Sequence, residues 1–87
     1  MDFEYDPQKS ELNKIKHGID FEEAKALWSD LRGFEIPVYA NGEERFVLIG
    51  RYRDRHWAGV YTRRNDMTRI ISVRRARLKE IGLYDNR

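Results

Sequence analysis

The sequence has no cysteine, which removes disulfide staples, thiolate nucleophiles and zinc sites of the Cys type and suits a reducing compartment. Long apolar runs are missing as well. The longest stretch of aliphatic and aromatic residues is the four from Phe46 to Ile49, far short of the ~20 that span a bilayer. The N-terminus is acidic and lacks the layout of a signal peptide, so the expected setting is the cytoplasm, with no membrane partner. No loop resembles a glycine-rich phosphate cradle, and no acidic pair has a magnesium-holding pattern; neither cofactor nor metal is expected. Repeats, low-complexity tracts and long linkers are absent. With 87 residues there is room for one small core, so residues 1–87 read as a single domain.

What the chain does have is charge, unevenly placed. Residues 1–50 carry 6 basic and 11 acidic side chains, a net of −5, while residues 51–87 carry 11 basic and 4 acidic, a net of +7. Ten of those eleven basic residues are arginine, whose planar fork grips phosphate bidentately and stacks on bases. A polyanionic partner fits this distribution, most simply nucleic acid. The alternative is that the arginines pair with the acidic first part inside the fold or sit in a solvated surface.

Element signals are clear. Phe3 and Tyr5 flank Glu4 in a short extended start, and Asp6-Pro7 reads as an N-cap followed by proline at the first helical position. The first helix runs through Leu12 and Ile15 to Lys16 and closes at Gly18. Asp20 and Glu23 form a capping-box pattern, with Ile19 and Ala24 placed as a hydrophobic staple, so a second helix starts at about Phe21. Its residues Phe21, Ala24, Leu27 and Trp28 make an apolar stripe. After Gly33 the period changes to two. Strands are predicted over Phe34–Ala40, Glu43–Tyr52, Arg55–Arg64 and Met67–Arg75, with Asn41-Gly42, Arg53-Asp54 and Asn65-Asp66 as two-residue turns. Ala76–Tyr84 reads as a terminal helix. The expected fold is α+β: two N-terminal helices, a four-stranded antiparallel sheet and a C-terminal helix.

Two-residue turns sort the side chains by face. Gly50 faces Trp57, Val60 faces Ile71, Tyr61 faces Ile70 and Trp57 faces Arg74. One face then collects Val47, Ile49, Ala58, Val60, Ile71 and Val73, suited to packing under the helices. The other collects Phe46, Leu48, Gly50, Trp57, Gly59, Tyr61, Arg63, Ile70, Ser72 and Arg74. There the glycines open a floor beside aromatics and guanidinium groups, the equipment of an RNA-binding sheet. Burial of Trp57 and Tyr61 against the terminal helix is the competing reading.

The stretch Phe3-Glu4-Tyr5-Asp6-Pro7, with Lys9, Asn13, Lys16-His17-Gly18 and Phe21-Glu22-Glu23-Ala24, resembles the opening of the BrnT family of toxins. Glu44-Arg45, Ile49-Gly50, Val60-Tyr61-Thr62, Arg64, Arg69-Ile70-Ile71-Ser72, Arg74, Ala76, Glu80 and Tyr84 resemble its closing pattern. The chain departs at Val73 and Asn65, where Ala and Gly are commoner in that family. The resemblance implies a ribonuclease toxin of a type II toxin-antitoxin pair, with a fold similar to the RelE and ParE toxins. It would arrest translation by cutting RNA. Its partner would be a BrnA-like antitoxin that neutralises it, and operator DNA would be met only through that complex.

RNA is cleaved without metal when the ribose 2′-hydroxyl attacks the adjacent phosphate, which needs a proton acceptor, a proton donor and positive charge around the phosphorane. Arginines supply the charge but are poor bases. Acid-base work falls to His17, Glu44, Tyr84 or a lysine, and His17 alone among these has an unperturbed pKa near neutrality; the family resemblance adds weight to an active-site role for it. Arg64 and Arg69 flank the last turn and share a face, so both reach one phosphate. Arg74 has the opposite parity, so a bulge intervenes, one arginine is structural, or they bind different parts of the RNA. Lys16, Arg63, Trp57 and Tyr61 are the expected wider RNA contacts. A nucleic-acid-binding regulator without catalysis, or a self-assembling interaction module, remains the alternative class.

Overall fold

Asp6 caps the first helix as its residue type dictates: its carboxylate accepts the Gln8 amide at 2.9 Å, and Pro7 supplies a preset φ where no amide hydrogen is needed. In the computed structural model, which describes residues 1–87, helix α1 spans Pro7–His17 and ends where Gly18 adopts φ 84. Asp20 and Glu23 bond reciprocally across each other's backbone amides at 2.7 and 3.1 Å and start α2, Phe21–Ala24. A 3-10 turn over Lys25–Ser29 follows. The stapling pair Ile19 and Ala24 is buried, as are Phe21 and Leu27.

Four strands follow: β2 Phe34–Ala40, β3 Glu43–Tyr52, β4 Arg55–Arg64 and β5 Met67–Arg75. All three connecting turns place both central residues at positive φ, the geometry whose twist matches antiparallel strands. Helix α3, Leu78–Asp85, closes the chain. No helix is long and apolar enough to cross a membrane.

The expected four-stranded antiparallel sheet is wrong in count and direction. Asp2–Glu4 forms a strand, β1, that pairs parallel with β5 through Asp2↔Met67, Phe3↔Thr68 and Glu4↔Arg69. The sheet is therefore five-stranded and mixed, in the order β1-β5-β4-β3-β2, within an α+β fold. Pairing occupies part of the otherwise open edge of β5. It also carries Phe3 against Trp28, edge to face with ring centroids 5.3 Å apart.

The two sheet faces are also used differently from the expectation. Leu48, Trp57, Tyr61, Ile70 and Val73 pack with Ile19, Phe21, Ala24 and Leu27 from the N-terminal helical segment. A Cβ on Gly50 would lie 3.3 Å from Leu27 and one on Gly59 3.1 Å from Trp28, so these glycines admit the 3-10 turn and do not open a floor for RNA. The opposite face seats Tyr84 of α3 on Ile49 and Ala58, with Phe34, Ile36 and Val47 around it. Between them, β4 and β5 change register. Tyr61 faces Ile70, but Val60 faces Ser72 and Trp57 faces Arg75, leaving Ile71 as the extra residue of a bulge. Val73 thereby joins the core under the N-terminal helices, and Ser72 and Arg74 leave that face.

Helix α1 is turned the opposite way from an ordinary amphipathic helix. Ser10 and Asn13 are its buried residues, whereas Leu12 is 63% and Ile15 82% exposed. The polar pair is bonded throughout. Asn13 donates to the carbonyls of Ile19 and Val73 at 2.8 and 2.9 Å and accepts the Val73 amide at 3.1 Å, while Ser10 Oγ accepts the Phe21 amide at 2.9 Å. Asn13 thus ties α1 directly to β5.

Candidate nucleic-acid interface

The bulge at Ile71 decides which arginines share a surface. Thr62 pairs with Arg69, Arg64 with Met67 and Ala58 with Arg74; residues 58, 62 and 64 of β4 alternate onto one face. Arg64, Arg69 and Arg74 therefore lie on the same face, the one that α3 occupies at its Ile49–Ala58 end. Arg64 and Arg69 are diagonal neighbours across the last hairpin, roughly 7–8 Å apart at Cα, within the span of two guanidinium groups meeting one phosphate.

Their electrostatic states differ. Arg64 is exposed and has no ionic partner within reach. Arg69 makes a single 3.3 Å contact with Glu4. Arg74 is held by both carboxylate oxygens of Glu80 at 2.9 and 3.0 Å. That hydrogen bonding holds the Glu80 carboxyl below its ordinary range and raises Arg74 above its own. Of the ten arginines in residues 51–87, Arg51, Arg63, Arg69 and Arg74 are ion-paired, which leaves Arg53, Arg55, Arg64, Arg75, Arg77 and Arg87 without a carboxylate. The positive half of the chain is not consumed by the negative half.

A cleft of about 310 Å³ opens beside Arg64, lined by Glu43, Glu44, Phe46, Thr62, Arg63 and Arg64. It forms because the β3–β4 ladder ends at Phe46↔Tyr61, after which Thr62 Oγ1 bridges to the Glu44 carbonyl at 3.0 Å. Glu44, Arg63 and Arg64 thus all line this cleft at the end of the ladder, Glu44 and Arg63 from the side of the N-terminal helices and Arg64 from the α3 side. Arg63 lies over the rings of Phe46 and Tyr61 at 5.3 and 5.6 Å and donates to Glu35 at 3.2 Å. Tyr61 itself is 1% exposed and its hydroxyl donates to Glu35. Burial first, and the Glu35 bond second, push that phenol up to about 12. Glu35, absent from the sequence reading, orients both groups. Its position two residues before the edge-strand Pro37 gave no sign of this.

The remaining expected residues lie elsewhere. His17, at the end of α1, lines a second pocket of about 210 Å³ with Lys14, Glu23, Tyr52, Arg53, Arg55 and Trp57. Arg55 and Arg64 terminate opposite ends of β4, roughly 30 Å of strand, so His17 and Arg64 are not brought together. Trp57 is buried, with Arg75 stacked over it at 5.5 Å. Lys16 is exposed on the outer side of α1. Tyr84, on the inner side of α3, is buried against the sheet and donates to Asp30 at 2.7 Å, and its phenol is raised by burial and that bond. Arg53 and Arg55, which make the His17 pocket basic, were not singled out from sequence; their placement in and directly after a two-residue turn is the signal that was there to find.

With this geometry in view, comparison with protein families is decisive. The model of the family described as the ribonuclease toxin, BrnT, of type II toxin-antitoxin systems matches residues 5–80. The chain belongs to the BrnT family. No curated protein matches it. As a BrnT chain it is a ribonuclease toxin that functions with an antitoxin partner, and the match covers both the arginine-bearing face and the N-terminal helices packed behind it.

Proposed function

We propose that this BrnT chain is a metal-independent endoribonuclease whose reaction centre is the Arg64 end of the sheet. The observation that carries the reading is the bulge at Ile71, which brings Arg64, Arg69 and Arg74 to one face. Arg64 and Arg69 hold the scissile phosphate and stabilise the phosphorane charge, acting through preorganised donors. Arg74 shares that face, but its charge is matched by the Glu80 carboxylate, so it anchors α3 to the end of β5 and leaves the phosphate to Arg64 and Arg69. Glu44 in the adjoining cleft takes the proton from the 2′-hydroxyl. The 2′-oxygen–phosphorus bond forms, the bond to the 5′-oxygen breaks, and that oxygen leaves with a proton from solvent. The products are a 2′,3′-cyclic phosphate and a 5′-hydroxyl. Phe46 with Arg63 stacked over it offers a shelf for a neighbouring base.

The toxin arrests growth by cutting RNA and halting translation, and a BrnA-like antitoxin encoded with it neutralises it; operator DNA is contacted through the toxin-antitoxin complex. The test is cleavage of RNA by purified protein in excess EDTA. Wild type yields cyclic-phosphate ends, Arg64→Ala and Glu44→Gln fall at least ~100-fold, and His17→Ala stays within a few-fold. Intact RNA that nonetheless binds the protein would point to a non-catalytic regulator, and loss of cleavage in His17→Ala alone would move the chemistry to the other pocket.

A further inference from the structure

A helix laid on a sheet normally turns its aliphatic residues inward, because burying one leucine or isoleucine gains about 1.5–3 kcal/mol. Helix α1 does the reverse. Ser10 and Asn13 face the core and Leu12 and Ile15 face solvent. This orientation is specified by the sequence: the three Asn13 bonds to Ile19 and Val73 and the Ser10 bond to Phe21 all break if α1 rolls to bury its leucine. Leu12 and Ile15, three residues apart, form one stripe. Lys9 and Lys16 run along one flank with no ion pair to either, whereas Lys14 on the far side is engaged by Glu23 at 2.6 Å. Glu11 lies on the other flank.

We infer that the outward stripe of α1 is a docking surface for an apolar segment of the antitoxin carrying acidic residues along the edge that meets Lys9 and Lys16. This rests on the toxin-antitoxin reading and adds the place and chemistry of the contact. An apolar pair at i, i+3 is the footprint of a helix or extended segment laid along a helix. It offers an RNA phosphate nothing to bond. A second copy packed antiparallel through this stripe would set the lysine flank against the same flank, a like-charge juxtaposition, and the dimer measured below decides any other self-pairing. The stripe lies on the outer side of α1, away from the Arg64 cleft, so an antitoxin anchored there can extend to the RNA surface from a fixed point.

The test compares wild type with Leu12→Gln/Ile15→Gln for affinity toward the antitoxin encoded beside this toxin, for RNA cleavage and for melting temperature. Both positions are exposed and glutamine is a good helix former. The expected result is antitoxin binding weakened at least ~30-fold, with cleavage and melting unchanged. Lys9→Glu is expected to weaken binding and flatten its salt dependence. Equal affinity in the double variant overturns the inference and leaves the ribonuclease reading intact; so does a wild-type dimer that the double variant disperses, or a salt dependence that Lys9→Glu leaves unchanged. Wild type that cleaves no RNA sinks the ribonuclease reading alone, because the affinity comparison still decides the stripe. An antitoxin that ignores wild type overturns the inference together with the partner assignment.

Discussion

Glu80 shows how one carboxylate sets the character of one arginine. It accepts two bonds from Arg74 and one from the Arg77 amide at 2.8 Å, so it caps α3 and pins the end of β5 at once. The bond from Arg74, opposed by burial and aided by the Arg77 amide, holds its carboxyl below the usual glutamate range. A depressed carboxyl contributes stability above its unfolded pKa, and that contribution is lost as pH falls through the lower folded value. Glu80→Gln is expected to cost about 1–2 kcal/mol at pH 7. Urea unfolding measured down the pH scale is expected to show the wild-type advantage shrinking to nothing as the wild-type carboxyl protonates. An advantage that persists at acid pH would mean the pair acts by shape alone. Individual roles such as this were only partly legible in the sequence. The caps at Asp6 and Asp20 are local and were read directly, while the Arg74–Glu80 and Tyr61–Glu35 contacts depend on which face each strand residue occupies.

At the scale of elements, β2 to β5 and their turns follow from the residues alone, because Asn-Gly, Arg-Asp and Asn-Asp between alternating segments leave few other geometries. The faces did not follow, for a physical reason. Phe46-Val47-Leu48-Ile49 is apolar on both sides of β3, and both sides are covered, one by the N-terminal helical segment and one by α3, so alternation carries no direction. The bulge hides within Ile70-Ile71, two residues of identical chemistry. A three-residue strand such as β1 shows no period at all, and its parallel partner is over sixty residues away. Gly59→Ala tests the corrected faces. Alanine in a strand interior is ordinarily favoured over glycine by about 0.5–1 kcal/mol. Here its Cβ would stand 3.1 Å from a Trp28 ring wedged between Phe3 and Tyr61, so a loss of about 1–2 kcal/mol is expected in thermal or urea unfolding. A gain would mean that face is open.

Across the whole molecule the charge is divided by surface more than neutralised. The carboxylates of residues 1–50 engage only some of the C-terminal arginines: Glu4 meets Arg69 and Glu35 meets Arg63, both partly exposed, and such pairs contribute little to stability, about 0–1 kcal/mol. Under the proposed function they compete with RNA for the same guanidinium groups. Each phosphate contact on a single strand adds about −0.7 to the slope of log affinity against log salt. In the proposed reading Arg64 contributes one such contact at no internal cost, and Arg69 contributes another only by leaving Glu4. Arg64→Ala is therefore expected to lower RNA affinity and flatten the slope by about 0.7. Glu4→Gln is expected to act in the opposite direction, raising affinity a few-fold at low salt with melting little changed. Both are measurable by titrating a non-cleavable RNA, with the attacking 2′-hydroxyl replaced by hydrogen, across a salt series. If Glu4→Gln instead weakens binding, the Glu4–Arg69 contact positions the arginine for phosphate and does not restrain it, and β1 belongs to the RNA surface.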